Sequence, residues 1–245
     1  MTNLIWFRRD LRLSENPALL AACEGGADVI AIYVLDDAAY GDWAMGGASR
    51  WWLHHSLTSL RHSLSKLNIP LILKKGNAGE IIADIATGYD GVYWNRLYDP
   101  YSVKRDTAIK DATDNAHSYK GTVLFEPWDI ETKNGDPYKV YTPYKRACTS
   151  KGGIPANSDR PEKRSKMPDI DLGDALEDWA LLPKIDWDSA FYENWTPGED
   201  GALGRLGHFI ENGLGDYKEG RNRPDQDYTS RLSPHLHFGE IAPWR

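Results

Sequence analysis

Short apolar runs alternate with stretches of helical spacing along the first half of the chain. The runs are Leu4-Ile5-Trp6-Phe7, Val29 to Val34, Leu71-Ile72-Leu73, Val92-Tyr93-Trp94 and Val123-Leu124-Phe125. They are continuous rather than alternating, which is the pattern of strands buried on both faces. Between them lie four helical patterns. Pro17 to Cys23 follows Asn16, a residue suited to an N-cap. Ala48 to Leu67 repeats Trp52, His55, Leu60, Leu64 and Leu67 near helical spacing. Gly79 to Thr87 and Val103 to Asn115 complete the set. Strand and helix in strict alternation predict an α/β fold: a doubly wound, five-stranded parallel sheet of Rossmann-like type, with right-handed crossovers. Residues 1–130 form this expected first domain.

After Pro127 the pattern changes. Residues 131–200 are rich in Pro, Asp, Lys and Gly and predict a long connector with one short helix over Pro143 to Thr149. Residues 201–245 predict the start of an all-α domain. Leu203, Leu206, Phe209, Ile210 and Leu214 form its apolar stripe. A second helix is expected to open at Pro234, with the chain ending at Arg245 a few residues into it.

Composition narrows the function classes. The 245 residues allow one large domain or two modest ones. The net charge of −7 argues against a protein coated in basic surface, while leaving room for a local basic patch. Cys23 and Cys148 are far apart and lack metal-ligand spacing, so they read as reduced cytosolic thiols and point to the cytoplasm. No apolar stretch is long enough to span a membrane, and Arg8 and Arg9 interrupt the only early apolar run. Ten Trp are unusual and suggest interfaces, stacking platforms or redox chemistry.

Three segments could carry chemistry. Phe7 to Leu13 follows the first strand, and its Arg and Asp residues could hold an acidic ligand; spacing alone favours an Arg–Asp network that fixes the turn. Trp94 to Tyr101 follows the fourth strand. Its aromatics, Asn95 and Asp99 suit a flat polar ring, or equally a helix entry with Pro100 in its first turn. The run Thr229-Ser230-Arg231-Leu232-Ser233-Pro234 offers three hydroxyls and an Arg before a helix start. That is what a pyrophosphate needs, although a solvated turn with a helix cap explains such a run as well. His235 and His237 lack a carboxylate or Cys at metal spacing and read as partly solvated helix residues. His54 and His55 read the same way.

Taken in order, these segments carry a resemblance. Ile5 to Asn16 is similar to the opening of the photolyase/cryptochrome family. Tyr138 to Tyr144 is similar to its connector motif. Tyr217, then Arg221 to Pro224, then Thr229 to Pro234 are similar to the first part of its flavin-binding domain. The chain most resembles the N-terminal half of a bacterial class I deoxyribodipyrimidine photolyase. The resemblance implies FAD and an antenna chromophore as cofactors. It implies light-dependent splitting of cyclobutane pyrimidine dimers in UV-damaged DNA as the activity of the whole enzyme, and a monomer. Tyr217, Thr229, Ser230, Arg231, Leu232 and Ser233 match flavin contacts, and Arg221 matches a DNA contact. Arg9, Asp36, Arg50 and Asp99 are the candidates for the antenna pocket. An 8-hydroxy-deazaflavin is favoured over methenyltetrahydrofolate, because Tyr101-Ser102 stands where folate-binding relatives carry an Asn-Glu pair. Tyr228 stands where the family usually has Gly before the hydroxyl run. The family's Trp relay lies outside the segments matched here, so the fragment is expected to lack catalytic residues and repair activity. A cryptochrome-type photoreceptor and a stand-alone chromophore-binding module are the alternative readings.

Overall fold

A computed structural model describes residues 1–153 and 159–245. Five parallel strands run β1 (Thr2–Phe7), β2 (Asp28–Leu35), β3 (Leu71–Lys75), β4 (Gly91–Asn95) and β5 (Ala116–Tyr119). They stand in the order β3-β2-β1-β4-β5, the expected doubly wound arrangement. Four helices cross between them: α1 (Pro17–Ala22), α2 (Gly47–Lys66), α3 (Ala78–Ala86) and α4 (Pro100–Ala112).

Alternate side chains of each central strand enter opposite cores. Ile5, Phe7, Val29, Ala31 and Leu35 pack with α1 and α2 on one face. Leu4, Trp6, Ile30, Ile32 and Val34 pack with α3 and α4 on the other. The continuous apolar runs are thus explained by burial on both sides. Asn16 does cap α1, its side chain accepting from the Leu19 N–H.

The fifth strand is not Val123 to Phe125. It is Ala116–Tyr119, which pairs with β4 from Val92↔Ala116 to Asn95↔Tyr119. This edge strand is half-buried or exposed along its whole length, so it carries no apolar run. Tyr119 stacks on Tyr93 across the pair, with ring centroids 6.3 Å apart. Residues 123–125 form a half-buried loop instead.

The connector holds more helix than expected: α5 (Tyr141–Lys151), a 3₁₀ turn at Leu176–Trp179 and α6 (Ser189–Asn194). Leu176, Trp179 and Leu181 join the core beside α2. Beyond it come α7 (Glu199–Asn212), α8 (Tyr217–Gly220) and α9 (Ser233–Phe238). Glu199 is buried at the start of α7 and accepts from the Leu13 and Ser14 N–H groups, tying α7 to the turn after β1. The last helix does not run into Arg245. Gly239, in left-handed backbone at φ 68°, ends it.

Candidate functional site

A cavity of about 280 Å³ opens at the carboxyl ends of β1 and β2, where open parallel sheets bind ligands. Trp6, Arg9, Asp36, Tyr40, Trp43 and Phe238 are among the residues that line it. The Arg9 guanidinium lies 5.6 Å from the centre of the Tyr40 ring. Asp36 is held by three donors: Ala39 N at 3.1 Å, Ala78 N at 3.0 Å and the Tyr101 hydroxyl at 3.0 Å. Arg50 stands behind the wall and pairs with Asp37 at 2.7 Å. Asp99 does not line the cavity. It caps α4, accepting from Ser102 N at 3.0 Å. Burial would raise its pKa, but the Ser102 hydrogen bonds, with Arg9 and Arg105 nearby, hold it below the usual carboxylate range. Of the four antenna candidates, two face the cavity, one braces it and one caps a helix.

The lining offers unpartnered donors, which suits a ligand with acceptor groups. Trp6 Nε1 and Arg8 Nε are buried donors without a partner, and both residues line the wall. The Trp6 ring is flanked by the guanidinium carbons of Arg8 at 4.5 Å and Arg105 at 4.6 Å.

The turn after β1 is an Arg–Asp network. Arg8 NH1 donates to both oxygens of Asp106, at 2.9 and 2.7 Å. Burial lowers the Arg8 pKa, with Asp106 acting against that shift. Arg12 is almost wholly enclosed and donates to the carbonyls of Ser14, Glu15, Gly121 and Gly239. Asn95 donates to Asp10 at 2.6 Å and to Asn16 at 2.7 Å. Arg8, Asp10 and Asn95 therefore fix the turn, while Arg8 and Arg9 line the cavity and Arg9 lies over Tyr40.

Helix α7 assembles the second group. Arg205 donates to the carbonyls of Ser230 at 3.1 Å and Thr229 at 3.2 Å, and to Asp227 at 2.6 Å. One turn along α7, Phe209 meets Tyr217 edge-on at 5.8 Å. The helix thus gathers Tyr217 and the hydroxyl run. Thr229, Arg231 and Ser233 are exposed, and Ser230 and Leu232 are half-buried. Arg231 adopts φ 49°, a left-handed turn, and its Nε sits 3.0 Å from Asp227. The Arg205 hydrogen bond holds the Asp227 carboxyl below its usual range. Tyr228 packs against Gly220, where a Cβ would collide with its side chain, so a glycine at 220 makes room for the tyrosine at 228. The exposed Arg221 guanidinium lies 5.8 Å from the centre of the Tyr217 ring, and Arg223 pairs with Asp225 at 2.8 Å.

His235 departs from its expected solvated state. It is 2% exposed, and its Nδ1 lies 2.5 Å from Glu240 Oε2. A carboxylate does accompany it, brought by the helix end. The Gly239 N–H donates to Leu236 O and the Glu240 N–H to His235 O, the reversal that sets the residue after the glycine beside the fourth-last residue of the helix. His237 is exposed. Glu240 was missed. The signal was Gly239, which marks the reversal four residues after His235. Among the described residues, no group of three His, Cys, Asp or Glu side chains could hold a metal ion, and no helix is long and apolar enough to cross a membrane.

Comparisons with known proteins bear on the family and the fold. The family model described as DNA photolyase matches residues 3–163. A deoxyribodipyrimidine photo-lyase of Agrobacterium fabrum is 44% identical over 98% of this chain and 51% of its own length. Cryptochrome-1 of Arabidopsis thaliana is 34% identical over 98% of this chain and 36% of its own. The crystal structure of a class III photolyase from Agrobacterium tumefaciens superposes with a TM-score of 0.90 at 43% identity, covering 99% of this chain and 51% of that one. The subclass of that relative is III, where the motifs suggested class I. The chain spans about half the length of the two photolyases it matches. The chain belongs to the DNA photolyase family.

Proposed function

We propose that this chain is the light-gathering and flavin-anchoring half of an enzyme that repairs cyclobutane pyrimidine dimers in UV-damaged DNA. The identity of 44% to a deoxyribodipyrimidine photo-lyase over 98% of the chain carries this reading. Residues 1–130 act as the antenna lobe, 131–200 as the connector and 201–245 as the start of the FAD-binding domain. Arg9 and Asp36 contact the antenna chromophore in the cavity beyond β1 and β2. Asp99 caps a helix and Tyr101 braces Asp36 from outside the cavity, so the sequence pattern that favoured a deazaflavin over a folate reports on the cavity's support rather than its contents. Absorbance of the chromophore extracted from the natively expressed protein separates the two.

The accessible hydroxyls of Thr229, Ser230 and Ser233, with Arg231 and Tyr217, form one wall of a diphosphate site. Tyr217, Thr229, Ser230, Arg231 and Ser233 would hold FAD there by placement and electrostatics, and the flavin, when bound and reduced, would supply the light-driven electron. Arg221 meets the phosphodiester backbone of the damaged strand. The chain alone, holding one wall of the flavin site, is expected to bind FAD weakly and to lack repair. Titration with FAD and a light-dependent dimer-repair assay test this. A chain that purifies as a stoichiometric yellow flavoprotein and repairs dimers unaided overturns it. The likeness to cryptochrome-1 favours a photoreceptor as the second reading; light-dependent repair by the whole protein decides against it.

A further inference from the structure

Glu240 is fully enclosed, at 0% exposure. Its Oε1 accepts from Trp52 Nε1 at 3.0 Å, from the Gly198 N–H at 2.7 Å and from the Ser56 hydroxyl. Its Oε2 takes His235 Nδ1 at 2.5 Å. The four donors come from three places: α2, the residue that opens α7, and α9. A buried carboxylate is tolerated where donors occupy its lone pairs, and here they come from elements far apart in the chain. The hydroxyl run enters α9 directly, and Arg205 of α7 grips the other end of the run. Past Phe238, which lines the antenna cavity, the chain docks on the turn after β1. There Leu11 N donates to Phe238 O at 3.1 Å and Arg12 NH1 to Gly239 O at 3.0 Å. One short segment therefore touches the cavity with one end and carries the hydroxyl run at the other.

We propose that Glu240 is a positioning residue: its carboxylate joins α2, the start of α7 and α9, and so fixes the run Thr229–Ser233 at a set distance and angle from the antenna cavity. The proposal deepens the reading of that run as the flavin-phosphate site. The carboxylate only accepts, so it holds the hydrogen of His235 on Nδ1 and leaves Nε2 as the second nitrogen. His235 also lines a separate cavity of about 430 Å³ with Trp195, Thr196 and Arg205.

The test uses the isotope-labelled chain as it stands. Glu240→Gln keeps the size and replaces one accepting oxygen by a donating nitrogen. In the variant His235 is expected to move its hydrogen to Nε2, seen in the imidazole ¹⁵N shifts. Amides of Leu232, Ser233 and residues 235–238 are expected to exchange about tenfold faster or more, the equivalent of one lost hydrogen bond to a charged group, with β1, β2 and β4 unchanged. Ser56→Ala, which trims the latch from the α2 side, is expected to loosen the same amides and decides the matter should the first variant not fold. A wild-type His235 signal with wild-type exchange at 232–238 overturns the proposal, as does exchange that rises equally in the strands. FAD titration of the wild-type protein is a separate arm: no flavin binding would sink the reading of the hydroxyl run while leaving the latch result intact.

Discussion

Arg8 and Asp106 show how much of this molecule depends on single side chains. Their side chains are 7% and 10% exposed, and the pair closes at 2.7 Å. Asp106→Asn leaves the enclosed guanidinium short of its counter-charge, which costs about 3–5 kcal/mol. Urea unfolding of the variant measures this, and a loss near zero would show the pair to be dispensable. Asp227 behaves differently, because water reaches it. Its folded pKa is depressed by the Arg205 hydrogen bond, so its contribution is present above the unfolded carboxylate value of about 3.9 and is lost as pH falls through the lower folded value. The melting temperatures of wild type and Asp227→Asn are therefore expected to differ at neutral pH and to converge as the pH falls through that lowered folded value. A gap that persists in acid contradicts this origin. The cap on α1 could be read from Asn16 and Pro17 because both partners lie within four residues. The partner of Arg8 could not, because Asp106 is 98 positions away and nothing local marks it.

At the scale of elements, legibility followed burial. Strands β1 to β4 are enclosed on both faces, and their apolar runs announce them. Strand β5 reads Ala-His-Ser-Tyr, an edge strand held by backbone pairing and by Tyr93, so the more apolar Val123 to Phe125 drew the expectation instead. The end of α9 was legible in principle from Gly239. A Cβ there would meet the Arg9 carbonyl, and the backbone is already left-handed. Gly239→Ala thus combines strain with a collision and is expected to cost more than about 1 kcal/mol, the upper end for a compatible site. Chemical denaturation gives the value; a neutral or stabilising change would mean the close approach is not rigid. Helix α5 has no buried residue. A helix of that length is marginal without packing, so its amides are expected to exchange far faster than those of α2. Equal protection of the two helices would show that α5 has a partner.

Across the whole molecule, the two proposed ligand sites share one connecting segment. The cavity beyond β1 and β2 is bounded on one side by His237 and Phe238, and the hydroxyl run lies immediately before the helix that carries them. The sequence order of the motifs was enough to place the family, because motifs far apart in the chain recur together only where the fold brings them together. The angle between the sites was not legible. It is set by Glu240, Arg12 and Gly239, whose partners are backbone groups and side chains on distant elements. The most direct test of the account is a chimera in which this chain replaces the matching half of the Agrobacterium photolyase, to which it is 44% identical. The account predicts a folded flavoprotein that splits pyrimidine dimers in DNA under blue light and stays inactive in the dark. A chimera that folds with native-like circular dichroism yet holds no flavin and repairs nothing would contradict it.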